Sequence, residues 1–377
     1  MGTINFFRKT IAAATAGTLL GLTGCNGFFV PLTSSTGGSS SSSNVYIANS
    51  ATDTLAGFAI GSGTLTTLAN APYSLTFAPT AVAVTPANTF VYVGGGGIIT
   101  AYSINTNGSL TAANSGAAVG NASVAAMDIS PDGNWLVVLD NNGSSIDAYP
   151  INKTTGVLGT PVVTTYAVAG ATIIPHGIKI APNGILIVVA LGTGGDLIYG
   201  FNTTTGVMNF DSALLPNSGT TSENAVAIDK NSAYIYIARS GATGAGLAVY
   251  SLSSSGIISP VTGSPFATGT QPYSIALAPS GAYVYVANRG DTTISGFTIG
   301  TGNVLTAVAG SPFTSGNGPT AITIDSSGSY LLAASYLGAP DLSLYQFDSG
   351  VAGRIYTTTT AATSTGTSHA VAIAATH

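Results

Sequence analysis

Six stretches of this 377-residue chain repeat one alternating pattern: PTAVAVTP from Pro79, VAAMDISP from Val124, PHGIKIAP from Pro175, ENAVAIDK from Glu223, PYSIALAP from Pro272 and PTAITIDS from Pro319. Their starts lie 45, 51, 48, 49 and 47 residues apart. A turn such as Pro131-Asp132-Gly133 or Pro182-Asn183-Gly184 follows, then a strand such as Phe90-Val91-Tyr92-Val93. A third strand places Tyr102, Tyr149, Phe201, Tyr250, Phe297 and Tyr345 in one register, and a weak fourth lies near segments such as Gly108-Ser109-Leu110. Four antiparallel strands in about 48 residues make one β-propeller blade. Period-two alternation, β-branched enrichment and the lack of helical periodicity agree with it.

The ends of the repeat set the blade count. The first unit begins at Asn44 on a second strand, Val45-Tyr46-Ile47-Ala48, with no opening strand before it. The chain finishes with SHAVAIAA from Ser368, which matches an opening strand and nothing else, 49 residues after Pro319. That strand is expected to complete blade one and close the ring, hiding sheet edges that would otherwise invite aggregation. The expected fold is all-β: a seven-bladed propeller of four-stranded antiparallel blades over residues 44–377.

Composition narrows the function classes. Charged residues are 6% of the chain, against roughly 25% in typical soluble domains, and the net charge is −5 with a pI near 4.8. Nucleic-acid binding needs clustered positive charge and is excluded. Mean hydropathy is +0.44, yet no apolar run reaches the 18 or so residues of a membrane span.

Residues 1–24 read as an export signal. Arg8 and Lys9 form its basic start, and Ile11 to Leu22 a short apolar stretch. It ends in Leu22-Thr23-Gly24-Cys25, which resembles a bacterial lipobox. Cys25 is the sole cysteine, so no disulfide framework exists, and acylation would remove a free thiol from an oxidising compartment. Cleavage would leave six positive and thirteen negative charges. Residues 25–43, with their Ser/Gly tract, read as the lipidated cysteine and a flexible tether. Asn26 after the cysteine favours an outer-membrane or surface address. The expected state is a lipid-anchored, extracytoplasmic monomer.

The repeats resemble a known family. AYVYVANRGDTTISGFTI from Ala282 and the twin Gly-Ser-Pro-Phe stretches at Gly263 and Gly310 look like those of the 6-phosphogluconolactonase-like, seven-bladed lactonase propellers, relatives of the Tyr-Val-Thr-Asn surface-repeat propellers. The resemblance spans residues 44–377 and implies hydrolysis of a lactone at the propeller rim. Pro175-His176-Gly177 matches the family's Pro-His strand entrance. The family's second histidine is replaced by Ile178, its Gly-Pro-Arg entrances by Asn224 and Tyr273, and its Asn-Glu by Ala238-Arg239.

Aligning the opening strands predicts an entrance ring of His369, Thr80, Ala125, His176, Asn224, Tyr273 and Thr320 for blades one to seven. The rare charges fall near it: Glu223, the chain's one glutamate, with Arg239 in blade five and Arg289 in blade six. His176, Glu223, Arg239 and Arg289 are the candidate catalytic residues, since lactone hydrolysis wants a base for water and cations for the oxyanion. No zinc spacing, phosphate loop or nucleophile elbow occurs, so no metal or cofactor is expected. Asp53 and Asp291 occupy matching loops and read as repeat structure. Deeper in the channel, Asp128 and Lys179 share one column of adjacent blades and are expected to pair. His377 reads as a free end. Two function classes stay open: a lipid-anchored lactonase, and a non-catalytic propeller presenting its rim to a glycan, peptide or envelope protein.

Overall fold

The structure is a computed structural model that describes residues 43–142, 144–168, 172–214, 221–253, 257–365 and 369–377. The expected signal sequence, lipobox and tether lie outside the described residues. From Ser43 onward the chain forms seven antiparallel sheets, each with at least four strands. Among the described residues there is no α-helix, only two single 3-10 turns.

Each sheet is a blade whose innermost strand is an opening segment. In blades two to seven these strands are Ala81–Val84, Val124–Ile129, Gly177–Ile180, Thr221–Ile228, Pro272–Leu277 and Pro319–Ile324. Blade one takes its inner strand, Ala370–Ala375, from the C-terminus, antiparallel to Ser43–Asn49. The junction is doubly tied, Asn44 N donating to Thr376 Oγ1 and Thr376 N to Asn44 O. His377 is not free: its N donates to Asn88 Oδ1 and Asn88 Nδ2 donates to its carbonyl, both at 2.8 Å.

The second strands are buried on both faces because each blade is packed between two others. Their tyrosines therefore need partners, and they find them in the next blade. Tyr46 Oη donates to Gly108 O, Tyr92 Oη to Gly156 O and Tyr285 Oη to Gly353 O. Trp135 Nε1 does the same from blade three to Thr203 O of blade four. A Cβ at Gly156 would stand 2.7 Å from Phe90 and one at Gly206 2.5 Å from Trp135. These two positive-φ turns therefore admit a neighbouring aromatic only because they are glycine. The twin Gly-Ser-Pro-Phe stretches bring Phe266 and Phe313 against third strands, pairing with Leu247 and Ile294.

One expectation about register is corrected. Ala48 pairs with Ala372 and Ile47 with Ile373, as Leu139 pairs with Ala126 and Val138 with Met127 in blade three. Blade one thus enters the ring at Val371, two residues beyond His369. A two-residue slip leaves every side chain on its face, so the alternation in SHAVAIAA fits both registers.

Candidate functional site: the channel mouth

The inner strands open into a cavity of about 490 Å³ at one end of the central channel. Thr80, Ala125, His176, Asn224, Tyr273, Thr320 and Val371 line it, joined by Tyr336 from blade seven. In blades three, five, six and seven the pairing of the inner strand skips one residue, namely Ala125, Asn224, Tyr273 and Thr320. A β-bulge re-aims the side chain it releases, and here the released residues face the mouth.

Three polar members of the ring are spent on stitching. Thr80 Oγ1 donates to Val124 O, Asn224 Nδ2 to Pro272 O at 2.8 Å and Thr320 Oγ1 to Ala370 O at 2.6 Å, each reaching the next blade. His176 differs: its backbone N donates to Ala190 O, but among the described residues its ring makes no hydrogen bond. It stands edge-on to Tyr273, with centroids 6.1 Å apart at 75°. Burial, and then the charge of Arg289, hold its pKa below the ordinary histidine value, so the ring is neutral at neutral pH and can accept a proton. None of the residues lining the mouth is Asp, Glu, Lys or Arg.

The four candidate residues divide into two places. Arg289 joins His176 through Tyr273, its Cζ 5.0 Å from the centroid of that ring and 5.0 Å from that of Tyr336. Tyr336 in turn stacks on His369 at 4.2 Å and 11°. His369 is therefore part of the rim even though it is not in the entrance ring. Glu223 and Arg239 do not line the mouth. They pair with each other, Arg239 Nε donating to Glu223 Oε1 at 2.7 Å, with both residues buried.

The reason is one residue of register. Arg239 shares its position with Asn49, Asn288 and Ser335, the last residues of second strands, which are all buried between blades. Arg289 and Tyr336 are one residue further along, where the chain leaves the sheet: Tyr336 lines the mouth, and Arg289, itself outside the lining, lies against the lining rings of Tyr273 and Tyr336. Sequence alignment assigned both positions to a single rim; the burial of Asn49 and Asn288 is the signal that separates them.

The Glu223–Arg239 pair has a third member that the sequence reading missed. Asp196, at the start of blade four's third strand, is fully buried, and neither of its carboxylate oxygens has a hydrogen-bond partner. Glu223 Oε2 is likewise unpartnered. Burial raises the Asp196 pKa well above the usual carboxylate range, with the charge of Glu223 adding to the rise and that of Arg239 opposing it. Burial also raises Glu223, against the pull of Arg239, to about 7. The coupling of Asp196 to the buried Glu223–Arg239 pair was not legible because Asp196 and Glu223 lie in different repeats.

Deeper in the channel the Asp128–Lys179 pair forms as expected, Nζ to Oδ1 at 2.9 Å, with the lysine side chain 46% exposed. The channel is open to solvent at that depth. No group of three or more His, Cys, Asp or Glu residues that could hold a metal occurs among the described residues.

Comparison with known proteins places this geometry in a family. The model of the lactonase family, described as a 7-bladed β-propeller, matches residues 75–351. No curated protein sequence matches the chain. Among solved structures, a Lactobacillus plantarum protein superposes with a TM-score of 0.73 at 14% identity, over 89% of this chain and 100% of its own. A Bacteroides fragilis protein provisionally named 6-phosphogluconolactonase gives 0.71 at 16%, over 90% of this chain and 99% of its own. The periplasmic gluconolactonase of Pseudomonas aeruginosa gives 0.68 at 13%, over 89% and 99%. At these identities the structures speak for the fold, and the family match covers well over half of the sequence: the chain belongs to the lactonase family of seven-bladed β-propellers.

Proposed function

We propose that the protein is a lipid-anchored, extracytoplasmic hydrolase of small lactones, working at the channel mouth. The observation that carries this reading is His176, a ring held neutral on an uncharged cavity and free of the hydrogen bonds that occupy Thr80, Asn224 and Thr320. His176 takes a proton from water as the water oxygen bonds to the lactone carbonyl. Arg289, held against the lining rings of Tyr273 and Tyr336, supplies the positive charge toward which the oxyanion develops. Collapse breaks the ring C–O bond, the proton passes from His176 to the leaving alkoxide, and an open hydroxy acid results. Glu223 and Arg239, closed on each other, take no part. The lipobox resemblance at Cys25 supports the anchor, and Cys25→Ser is expected to leave the membrane fraction.

Hydrolysis of γ-butyrolactone and glucono-δ-lactone by the purified protein tests the reading. His176→Ala is expected to lose roughly 100-fold or more in kcat/KM, the usual worth of a general base. The wild-type rate is expected to rise with pH through a pKa below the ordinary histidine value and to level off by neutrality. A second reading, a non-catalytic binding propeller for a glycan or envelope partner, is favoured by the absence of a carboxylate from the mouth lining. Rates no faster than buffer, unchanged in His176→Ala, would select it.

A further inference from the structure

Six cations belong to the propeller, and five of them spend their side-chain N–H groups. Lys179, Arg239 and Arg354 pair with Asp128, Glu223 and Asp348. Lys153 donates to Asp132 O and Lys230 to Ser280 O. Arg289 is the exception: among the described residues its guanidinium meets no acceptor, only the two tyrosine rings. Even Asp291, two residues on, turns away, accepting from Thr270 N at 2.7 Å and from Thr293 Oγ1 at 2.8 Å.

The arrangement is built from three blades. Tyr273 is the bulged entrance residue of blade six. Arg289 follows that blade's second strand, its backbone N held by Gln271 O. Tyr336 follows the second strand of blade seven, its N held by Gly318 O, and His369 stacks behind it. A guanidinium against aromatic faces gains from the ring quadrupole, and rings that cover its faces leave its edge for a ligand. That edge is a planar fork of donors matched to a carboxylate.

We propose that Tyr273 and Tyr336, which line the mouth, are positioning residues that clamp Arg289 at its rim as a single anion receptor, and that the ligand it selects carries one carboxylate and no phosphate. The inference rests on the lactonase reading for the site and adds the class of molecule held there: the ring-opened hydroxy acid, or a lactone bearing a carboxylate. A phosphate dianion would call for further cations. The lining supplies none, and Arg239 and Lys179 are committed to Glu223 and Asp128.

The test is binding of 4-hydroxybutanoate and of inorganic phosphate to the full-length protein by calorimetry. The Arg289 Nε–H resonance is followed alongside. The hydroxy acid is expected to bind at least about tenfold more tightly than phosphate. Tyr273→Leu and Tyr336→Leu are expected to weaken it about tenfold, the equivalent of one lost desolvated cation–π contact. Tyr→Phe at either site is expected to stay within about twofold, because the ring and not the hydroxyl is used. The Arg289 signal should lose part of its ring-current shift in each Leu variant and keep it in the Phe variants, a readout that general destabilisation would not produce. Equal affinity for phosphate, or folded Leu variants that bind the hydroxy acid as wild type does, would overturn the proposal. The two readings fail separately. Binding of the hydroxy acid without lactone hydrolysis keeps the clamp and removes the enzyme. Hydrolysis with KM unchanged in Arg289→Lys and in the Leu variants keeps the enzyme and removes the clamp.

Discussion

Asp196 is buried within the field of the Glu223–Arg239 pair, and three of the two acids' four carboxylate oxygens have no hydrogen-bond partner. A buried carboxylate in that position keeps its proton to higher pH than it would unfolded. Both acids are raised, so between about pH 4.5 and 7 the unfolded chain has released protons that the folded chain retains. By linkage this contribution to stability is full below the unfolded pKa and is lost as pH rises through the folded one. His176, whose folded pKa is lowered, contributes with the opposite sign at the acid end of the window. Thermal melts of wild type and Asp196→Asn from pH 5 to 8 separate the two. The wild type is expected to lose stability as pH rises across that range, and Asp196→Asn to shrink the loss while leaving the part that the buried Glu223 carries. Superimposable pH profiles would mean that the cluster does not hold its protons. The same residues show why the candidate site was only half legible. Arg239 and Arg289 look alike in an alignment, but period-two geometry inside a buried strand seals the first, while the second lies just past the strand's end.

At the scale of single strands, pattern and pairing gave different amounts of information. The inner strands and their faces followed from alternation, including the column that joins Asp128 to Lys179. Whether that pair sits in a dry or a wet channel did not follow, because it depends on how seven inner strands converge. The lysine's exposure places the pair in water, where such pairs contribute about 0–1 kcal/mol. A double-mutant cycle of Asp128→Ala and Lys179→Ala is accordingly expected to give a coupling below about 1 kcal/mol. Asp128→Ala should be the costlier single change, because Asp128 Oδ2 also accepts Ile180 N at 2.8 Å. A coupling of several kcal/mol would contradict an open channel. The two-residue slip in blade one belongs to this scale too: Ala370–Ala375 fits the ring in either register by pattern, and the Asn44–Thr376 ties choose between them.

The whole ring depends on one covalently remote contact. The inner strand of blade one is supplied from the other end of the chain, and its removal would bare an edge of Ser43–Asn49 and the inner flanks of blades two and seven. Deleting residues 369–377 is expected to cost several kcal/mol and to lower the melting temperature by roughly 10 °C or more, or to abolish cooperative unfolding. An unchanged melt would refute closure by this strand as a source of stability. The mouth would suffer as well, because Val371 to Ile373 line the cavity and His369 supports Tyr336.

By itself the sequence determined the architecture and the blade count, because a strand pattern repeated every 48 residues or so, with its first unit lacking what its last unit supplies, has one closed solution. It also determined His176 and Arg289 as rim residues, because each stands where a strand meets a loop. Only the tertiary structure decided which charges reach the ligand's side of the fold. Burial turns on a single residue at the end of a strand, and the groups that set each environment, Tyr336 against Arg289 and the buried Asp196 near the Glu223–Arg239 pair, come from neighbouring blades whose spacing in the chain carries no record of it.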